Sequence, residues 1–133
     1  MHKGIISINT SDKIELIDIT TQINQALNKT GCEAGICYLY SPHTTAALTI
    51  NEGIDPAVQQ DIAAVMQRIV PSQFPYKHLE GNSPAHLMSS IIGASEIVFM
   101  ESGALKLGTW QRIFFCEFDG PRKRNMYWRI TGA

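Results

Sequence analysis

The chain has 133 residues, of which 44% are hydrophobic and 17% are charged, and its formal net charge is −1. This composition is that of a globular domain and excludes a disordered or fibrous chain, while the balanced charge excludes a general attraction to nucleic acid or anionic membranes. No apolar run approaches the roughly 18 residues of a membrane span. No linker or repeat interrupts the sequence, so residues 1–133 are predicted to form one domain.

Alternating apolar and polar residues predict two strands at the start of the chain, GIISINT and KIELIDI, with SD between them. The next segment, TTQINQALNKTG, predicts a short helix. Thr20 or Thr21 is expected to cap this helix, and Ile23 and Leu27 share its core-facing side. Two further strands, AGICYLYS and TTAALTINE, are predicted to follow.

The segment IDPAVQQDIAAVMQRIVP gives the clearest helical pattern. Asp55 is predicted to cap this helix and Pro56 suits its first turn, and Pro71 ends it. The predicted core-facing stripe consists of Val58, Ile62, Val65, Met66 and Ile69.

A third helix is predicted at SPAHLMSSIIG, with Ser83 as its cap and Pro84 at its first position. Four strands then follow, in the segments SEIVFME, ALKLG, TWQRIFFCEF and RNMYWRI. Strands and helices are segregated along the chain rather than alternating in βαβ units. The sequence therefore predicts an α+β fold with a largely antiparallel sheet, or two sheets, and helices on one side.

The cysteines and the N-terminus predict a reducing compartment. Cys32, Cys37 and Cys116 are odd in number and form no CxxC pair, so we expect reduced thiols, although Cys32 and Cys37 are able in principle to pair. The first 19 residues lack the apolar core and cleavage site of a secretory signal. A cytoplasmic protein is the expectation.

Two histidines point away from the predicted apolar faces. In a strand from His43 to Glu52, His43 shares a face with Thr45 and Ala47, whereas Leu48 lies on the other face. In the third helix, Leu87, Met88, Ile91 and Ile92 are predicted to face the core. His86 lies opposite them with Ser89, Ser90 and Gly93. Each histidine taken alone is better explained as a solvated side chain.

His78 lies in the loop PYKHLEGN before the third helix, beside a feature that can bind anions. The free N–H groups at the start of that helix, with Asn82, Ser83 and Lys77 near them, are suited to phosphate. The plainer alternative is that Ser83 simply caps the helix.

The last part of the chain offers acidic and basic groups. Glu117 and Asp119 share a strand face, and Gln111 has the same parity. Arg122, Lys123 and Arg124 follow a Gly-Pro turn, and they are suited either to phosphate binding or to a solvated turn. No GxGxxG, Walker A, HExxH or GxSxG motif is present. The histidines are still able to meet in space as a metal-binding triad.

Three segments taken together resemble the YjbQ-like family: SPHTTAALTINEGIDPAVQQDI, YKHLEGNSPAHLMSSIIG and LGTWQRIFFCEFDGPRKR. The resemblance runs from about Gly4 to Ile130. It implies mixed, largely antiparallel sheets packed as a distorted sandwich with helices alongside. It also implies a homotrimer and thiamine-phosphate synthase activity that is secondary to an unknown native reaction. The loop HLEGNSPAH is shorter than in many members, which leaves its detailed role open.

The family motifs carry over residue by residue. The H-T-[ST]-A and N-E blocks give His43, Thr44, Thr45, Asn51 and Glu52, and the Y-[RK]-H and P-A-H blocks give His78 and His86. The G-T-W-Q and E-x-x-G-P-R-x-R blocks give Gln111, Glu117, Arg122 and Arg124. With Asn82 and Ser83, the resemblance and the residues together predict a phosphate-binding set of Thr44, Thr45, Asn82, Ser83, Gln111, Arg122 and Arg124.

The implied reaction joins a pyrimidine-methyl pyrophosphate to a thiazole phosphate and expels pyrophosphate. It requires stabilisation of the leaving group and alignment of two substrates rather than an activated nucleophile. His43, His78 and His86 are predicted to meet in one cleft and to donate protons, with Glu52 or Glu117 able to hold Mg²⁺. The cofactor is not fixed. Two alternatives stay open: a hydrolase that uses the three histidines as Zn²⁺ ligands, and a non-catalytic trimer that binds a phosphorylated metabolite.

Overall fold

The computed structural model describes residues 2–132, so the ends of the predicted domain, Met1 and Ala133, lie outside the described residues. The described part contains eight strands and three helices in the predicted order. The strands are β1 (His2–Asn9), β2 (Glu15–Asp18), β3 (Gly35–Tyr40), β4 (Ala46–Glu52), β5 (Ser95–Glu101), β6 (Ala104–Leu105), β7 (Gln111–Glu117) and β8 (Lys123–Thr131). The helices are α1 (Thr20–Asn28), α2 (Pro56–Ile69) and α3 (Ser83–Ile92).

The strands form two antiparallel sheets, which confirms the predicted α+β class. The larger sheet has the order β1-β8-β3-β5-β6, and the smaller one has the order β2-β7-β4. The inner face of the larger sheet and one face of the smaller sheet enclose a first core with α1. The opposite face of the smaller sheet packs against α2 and α3 in a second core. The smaller sheet is therefore the middle layer of the molecule.

This position explains why the predicted polar face of β4 is wrong. The alternation predicts Ala47 on the polar face, yet it is fully buried in the second core, while Ala46 and Leu48 lie in the first. The central strand β7 is likewise buried on both faces, with Phe115 in the first core and Phe114 in the second. A strand covered on both sides needs no polar face.

The core-facing stripes of α2 and α3 are narrower than predicted. Val65 and Ile69 of α2, and Leu87 and Ile91 of α3, are exposed rather than buried. Met66 is the buried residue of α2, and α3 buries Met88 with small side chains. Because the helices cover a sheet of three short strands, one narrow stripe on each is enough to contact it.

Helix caps agree with the sequence in one case and differ in two. The Asp55 carboxylate accepts a hydrogen bond from the Ala57 N–H at 3.0 Å, as predicted for α2. The N-caps of α1 and α3 are Ile19 and Asn82, so Thr20 and Ser83 are not caps. The Thr20 hydroxyl instead accepts from the backbone N–H of Ile113 at 2.7 Å, which ties α1 to β7.

All three cysteines are free, which confirms the prediction of reduced thiols. Burial raises the pKa of the Cys37 and Cys116 thiols to about 12, so neither forms a reactive thiolate near neutral pH. Within residues 2–132, no helix has the length and apolarity that crossing a membrane requires.

Candidate active-site cleft

His43 lies in a loop rather than in a strand, because β4 begins only at Ala46. The Ser41 hydroxyl shapes this loop: it accepts from the His43 N–H at 3.4 Å and donates to the Ala46 carbonyl at 3.2 Å. The imidazole ring itself is held by β8, since its Nε2 accepts from the backbone N–H of Asn125 at 2.9 Å. The ring is therefore fixed between the end of β3 and the start of β8.

The bond from Asn125 fixes the protonation state of His43. Nε2 acts as the acceptor, so the neutral ring carries its proton on Nδ1 and is able to donate from there. Burial, and next the positive charge of Arg124, lower the pKa of His43 below its ordinary value, while Glu117 opposes this effect. His43 is thus a neutral hydrogen-bond donor at pH 7 rather than an imidazolium.

His78 and His86 meet across the short segment that joins the loop to α3. Their ring centroids are 5.2 Å apart and their planes stand almost perpendicular, at 88°. Gly81, between them in the chain, has φ +81°, a left-handed conformation that suits glycine and lets the loop reverse direction. The compact loop therefore brings the two imidazoles into contact.

A cleft of about 360 Å³ is bordered by all three of these histidines. Most of the predicted phosphate-binding residues line the same cleft, namely Thr44, Thr45, Asn82, Arg122 and Arg124. A shallower groove continues from it past His43 and His86 along the small side chains Ser89, Ser90 and Gly93 of the α3 face.

A buried ion pair underlies the cleft. Glu117 is fully buried and Arg124 is 4% exposed. The Arg124 Nε donates to Glu117 at 2.8 Å, and its Nη2 donates to the other carboxylate oxygen and, at 2.8 Å, to the Thr45 hydroxyl. Glu117 also accepts from the Thr10 hydroxyl and the Asp119 N–H, at 2.8 and 3.0 Å. The pair holds four segments of chain together.

The same hydrogen bonds set the charge of Glu117. Burial, the largest effect, acts to raise the pKa of this carboxyl, but the hydrogen bonds from Arg124, Asp119 and Thr10 and the charge of Arg124 together lower it below its ordinary value. Glu117 is therefore ionised and fully engaged. Its place in the site is structural, because its oxygens point to donors of this chain.

Arg122 stands at the surface of the cleft, held by Asp119. Its Nε donates to the Asp119 carbonyl at 2.9 Å and its Nη2 to the Asp119 carboxylate at 3.1 Å, and the side chain remains 50% exposed. The preceding turn admits only glycine at position 120, because an added Cβ would lie 2.3 Å from the Asp12 carbonyl oxygen. Arg122 thus has guanidinium N–H groups free to meet an anion.

Three predicted site residues do not line the cleft. Glu52 and Gln111 face each other at the opposite end of the β4–β7 ladder from Glu117. Six residues of strand separate them from the cleft, about 20 Å at the usual rise. Ser83 is buried at the start of α3 and does not line the cleft.

The cleft does not present the three-ligand set that a resident metal needs. Across residues 2–132, no group of three or more His, Cys, Asp or Glu side chains is placed to hold a metal ion. The three histidines border one cleft, but one of them already commits its Nε2 to a backbone N–H. The predicted metal site of His43, His78 and His86 therefore does not fit the described residues.

Sequence reasoning missed the partners that fix the site. Thr10 bonds Glu117 across 107 positions of sequence, and Asn125 bonds His43 across 82. Neither residue belongs to a chemical motif. The pairing of β1 with β8, which places Asn9 opposite Lys123, brings Thr10 to the site, and the pairing of β3 with β8, which places Tyr40 opposite Tyr127, brings His43 to Asn125.

Comparisons with known proteins cover nearly the whole chain. The family model described as UPF0047 protein YjbQ-like matches residues 4–133. A UPF0047 protein of Methanocaldococcus jannaschii is 46% identical over 94% of this chain and 91% of its own. The UPF0047 protein YugU of Bacillus subtilis is 45% identical over 96% and 97%.

Solved structures agree with the fold. A crystal structure of an uncharacterised YjbQ/UPF0047-family protein from Clostridium acetobutylicum is 44% identical, covers 96% of this chain and 98% of that one, and superposes with a TM-score of 0.92. A hypothetical protein from Aeropyrum pernix K1 is 36% identical, covers all of both chains and has a TM-score of 0.94.

Proposed function

The chain belongs to the YjbQ-like UPF0047 family, and we propose that it is a thiamine-phosphate synthase-type transferase, with this reaction a side activity of a related native one. The observation that carries the proposal is the cleft that gathers three imidazoles beside the free face of Arg122. Imidazole and guanidinium groups together suit phosphorylated substrates whose leaving group needs charge stabilisation and a proton.

The reaction forms one bond and breaks one bond. The thiazole nitrogen attacks the methylene carbon of the pyrimidine, and the C–O bond to pyrophosphate breaks, with its electron pair leaving on the pyrophosphate oxygen. The thiazole nitrogen becomes positively charged, so no base has to remove a proton. The demands on the protein are to align the two substrates and to stabilise the departing anion.

The geometry supports a separate role for each cationic or proton-donating group. Arg122 faces the cleft with free N–H groups and binds a phosphate. His43 donates a hydrogen bond from Nδ1 and stays neutral, so it holds an oxygen in place. His86, in contact with His78, is the proton donor to the leaving pyrophosphate. Arg124 is a positioning residue, since Glu117 occupies its guanidinium.

A synthase assay tests the proposal. The protein, purified from cells that lack their own thiamine-phosphate synthase, is given the two substrates, and thiamine phosphate is measured by fluorescence after oxidation. His86→Ala should lower kcat by roughly 10²–10⁴-fold, the usual contribution of a general acid. Arg122→Ala should raise KM for the pyrophosphate substrate. Gln111→Ala is the matched control, because it lies at the far end of β7, and its rate should match wild type.

Two results would reject the transferase. No product above the uncatalysed rate would exclude it outright. Tight binding of the phosphorylated substrates without turnover would favour the non-catalytic binder instead. Full activity in both His86→Ala and Arg122→Ala would show that the reaction occurs at another site.

We propose that the chain assembles as a homotrimer, as the family resemblance implies, through the outer face of its larger sheet. Six large side chains are exposed on this face: Ile5, Tyr38, Tyr40, Ile97, Phe99 and Tyr127. Strand pairing places them side by side, since Ile5 opposes Tyr127 and Tyr127 opposes Tyr40. A contiguous apolar patch of this kind is typical of a protein interface.

The assembly is measured by light scattering on a size-exclusion column. The wild-type protein should have a mass of about 44 kDa, that of three chains. Phe99→Glu, in the middle of β5, should reduce this mass to the 14.8 kDa of one chain. Ile54→Glu is the control, because Ile54 is as exposed but lies outside the sheet. A wild-type protein that elutes as a monomer would exclude the trimer.

We also propose that the protein works in the cytoplasm, where its free thiols stay reduced.

A further inference from the structure

A second cavity lies behind the wall formed by Asn82 and Asp119. Its volume is about 380 Å³, within the usual range for small-molecule sites. Its inner wall consists of buried apolar side chains of the second core, including Val70, Ala85 and Met88. Polar side chains stand around its rim, including Lys13 and Glu80. An apolar floor with a few polar groups at the mouth is the usual form of a binding pocket.

The second cavity and the active-site cleft share a wall. Glu80, Asn82 and Asp119 border both of them. The wall is held by a hydrogen bond from the Asn82 Nδ2 to the Asp119 carboxylate at 2.9 Å. A molecule that reaches around this wall contacts the apolar cavity at one end and Arg122 at the other.

The wall also contains an acceptor without a donor. A carboxylate only accepts, so the amide of Asn82 must turn its nitrogen to Asp119, and this settles which end of the amide is the oxygen. That oxygen, Oδ1, is buried and has no hydrogen-bond partner. Unsatisfied buried acceptors are rare in folded proteins and point to a missing donor.

We propose that this cavity receives the aminopyrimidine ring of the pyrophosphate substrate, which deepens the proposed function and rests on it. The ring is planar and aromatic, and its flat faces suit the apolar wall of Ala85, Met88 and Phe118. Its exocyclic amine donates to Asn82 and Asp119. The pyrophosphate then lies on the other side of the shared wall, at Arg122 and the histidines.

The thioether of Met88 gives a direct readout of the proposed contact. Thioether groups pack favourably against aromatic rings, and a ring shifts the resonance of a methyl group beside it. The chain has five methionines, and Met100 and Met126 belong to the first core, away from the cavity. The experiment titrates protein labelled with ¹³C-methyl methionine with the phosphate-free ligand 4-amino-5-hydroxymethyl-2-methylpyrimidine. The Met88 methyl signal should move, while those of Met100 and Met126 should not.

Substitutions then locate the ring. Ala85→Leu fills the cavity and should weaken binding of the pyrimidine alcohol about tenfold or more. The matched control is Ala64→Leu on the exposed side of α2, which should bind like wild type. Arg122→Ala should also leave this phosphate-free ligand bound. Ser72→Phe blocks the cavity from its exposed rim and gives the same test if Ala85→Leu does not fold.

The outcomes separate this inference from the proposed function. A Met88 shift that Ala85→Leu abolishes supports the cavity assignment, even in a protein without synthase turnover. Synthase activity with an unchanged KM for the pyrimidine substrate in Ala85→Leu overturns the cavity assignment and leaves the transferase standing. Binding of the pyrimidine alcohol without a Met88 shift also overturns it. If the wild-type protein shows no binding of the pyrimidine alcohol and no synthase turnover, both proposals are rejected.

Discussion

The two ends of the β4–β7 ladder carry similar residues in very different surroundings. At one end Ala46 pairs with Glu117, and at the other Glu52 pairs with Gln111. Glu117 is fully buried and bound to Arg124, whereas Gln111 is exposed and accepts from the nearby Gly108 N–H at 2.8 Å. The cleft lies at the buried end.

The comparison shows that residue type does not identify a site in this chain. Both ends offer a carboxylate, and family motifs mark both ends. What differs is whether distant segments supply partners: Glu117 is bonded by Thr10 and Arg124, while Glu52 has no ion-pair partner among residues 2–132. Buried, fully bonded polar groups rigidify their surroundings, so the cleft stands on a fixed base.

The largest effect is expected from Glu117→Ala, which leaves Arg124 buried without its counter-ion. Removing one member of a buried pair usually costs about 3–5 kcal/mol of unfolding free energy. Urea denaturation followed by circular dichroism measures the loss. The matched control is Glu101→Ala, because Glu101 pairs with Lys106 at 3.2 Å with both side chains more than half exposed. Its expected cost is about 0–1 kcal/mol.

A double variant sharpens the same prediction. Replacing both partners, as Glu117→Gln with Arg124→Met, removes the unpaired charge and should recover much of the lost stability. If the single and double variants are equally unstable, the loss comes from packing and not from the bare charge. Equal stability of Glu117→Ala and wild type would mean that the two ends of the ladder do not differ as described.

Acid should weaken the buried end first. The pKa of Glu117 is lowered in the folded protein, so as pH falls below the ordinary value of 4.5 the unfolded chain takes up the proton before the folded one does. The contribution of Glu117 is therefore complete above pH 4.5 and is lost as pH falls through the lower folded value. The free energy of unfolding, measured by urea denaturation from pH 7 to 3, should fall with pH in wild type and fall less steeply in the double variant.

A residual slope is expected in the double variant, because other groups with shifted pKa values remain in it. His43 is one of them: burial lowers its pKa, so stability also falls as pH drops below the ordinary value of 6.5. Asp18 also has a pKa below its ordinary value: burial raises it, but hydrogen bonds from Arg112 and Thr20 and the charge of Arg112 outweigh that effect. Asp18→Asn in the double variant should reduce the pH dependence of the free energy of unfolding further. An identical slope in wild type and in the double variant would contradict the assigned state of Glu117.

Much of the fold is readable from the sequence, and the site only in part. Alternation of residues identifies the strands and their order because period 2 reports which side chains share a face. It does not report how many faces of the sheet are covered, so it wrongly predicts a polar face at Ala47. The strand predicted from His43 fails for a related reason, since the Ser41 hydroxyl ends the extended segment before β4 begins. Bonds across 82 and 107 positions leave no periodic trace.

A smaller effect is expected at Asp119, which orients Arg122 at the surface of the cleft. Asp119→Asn keeps the shape of the side chain but loses the charge that holds the Arg122 guanidinium. Because the Arg122 side chain is half exposed, this ion pair contributes only about 1 kcal/mol or less to stability. The main change should be a several-fold higher KM for the pyrophosphate substrate with kcat nearly unchanged. The control is Asp12→Asn in the neighbouring turn. A fall in kcat alone would show that Asp119 acts on the chemistry rather than on substrate placement.

The smallest effects are expected at the other end of the ladder. Within the described residues 2–132, Glu52→Gln and Gln111→Ala remove no ion pair and no long-range side-chain bond, so each should change the free energy of unfolding by about 0.5 kcal/mol or less. Neither side chain reaches the cleft within one chain, and pyrimidine binding should match wild type. If Glu52→Gln lowers turnover at unchanged stability, Glu52 must reach the cleft of a neighbouring subunit, because it lies too far from the cleft of its own chain. A Phe99→Glu monomer would then lose the same activity, and the site would be shared between chains.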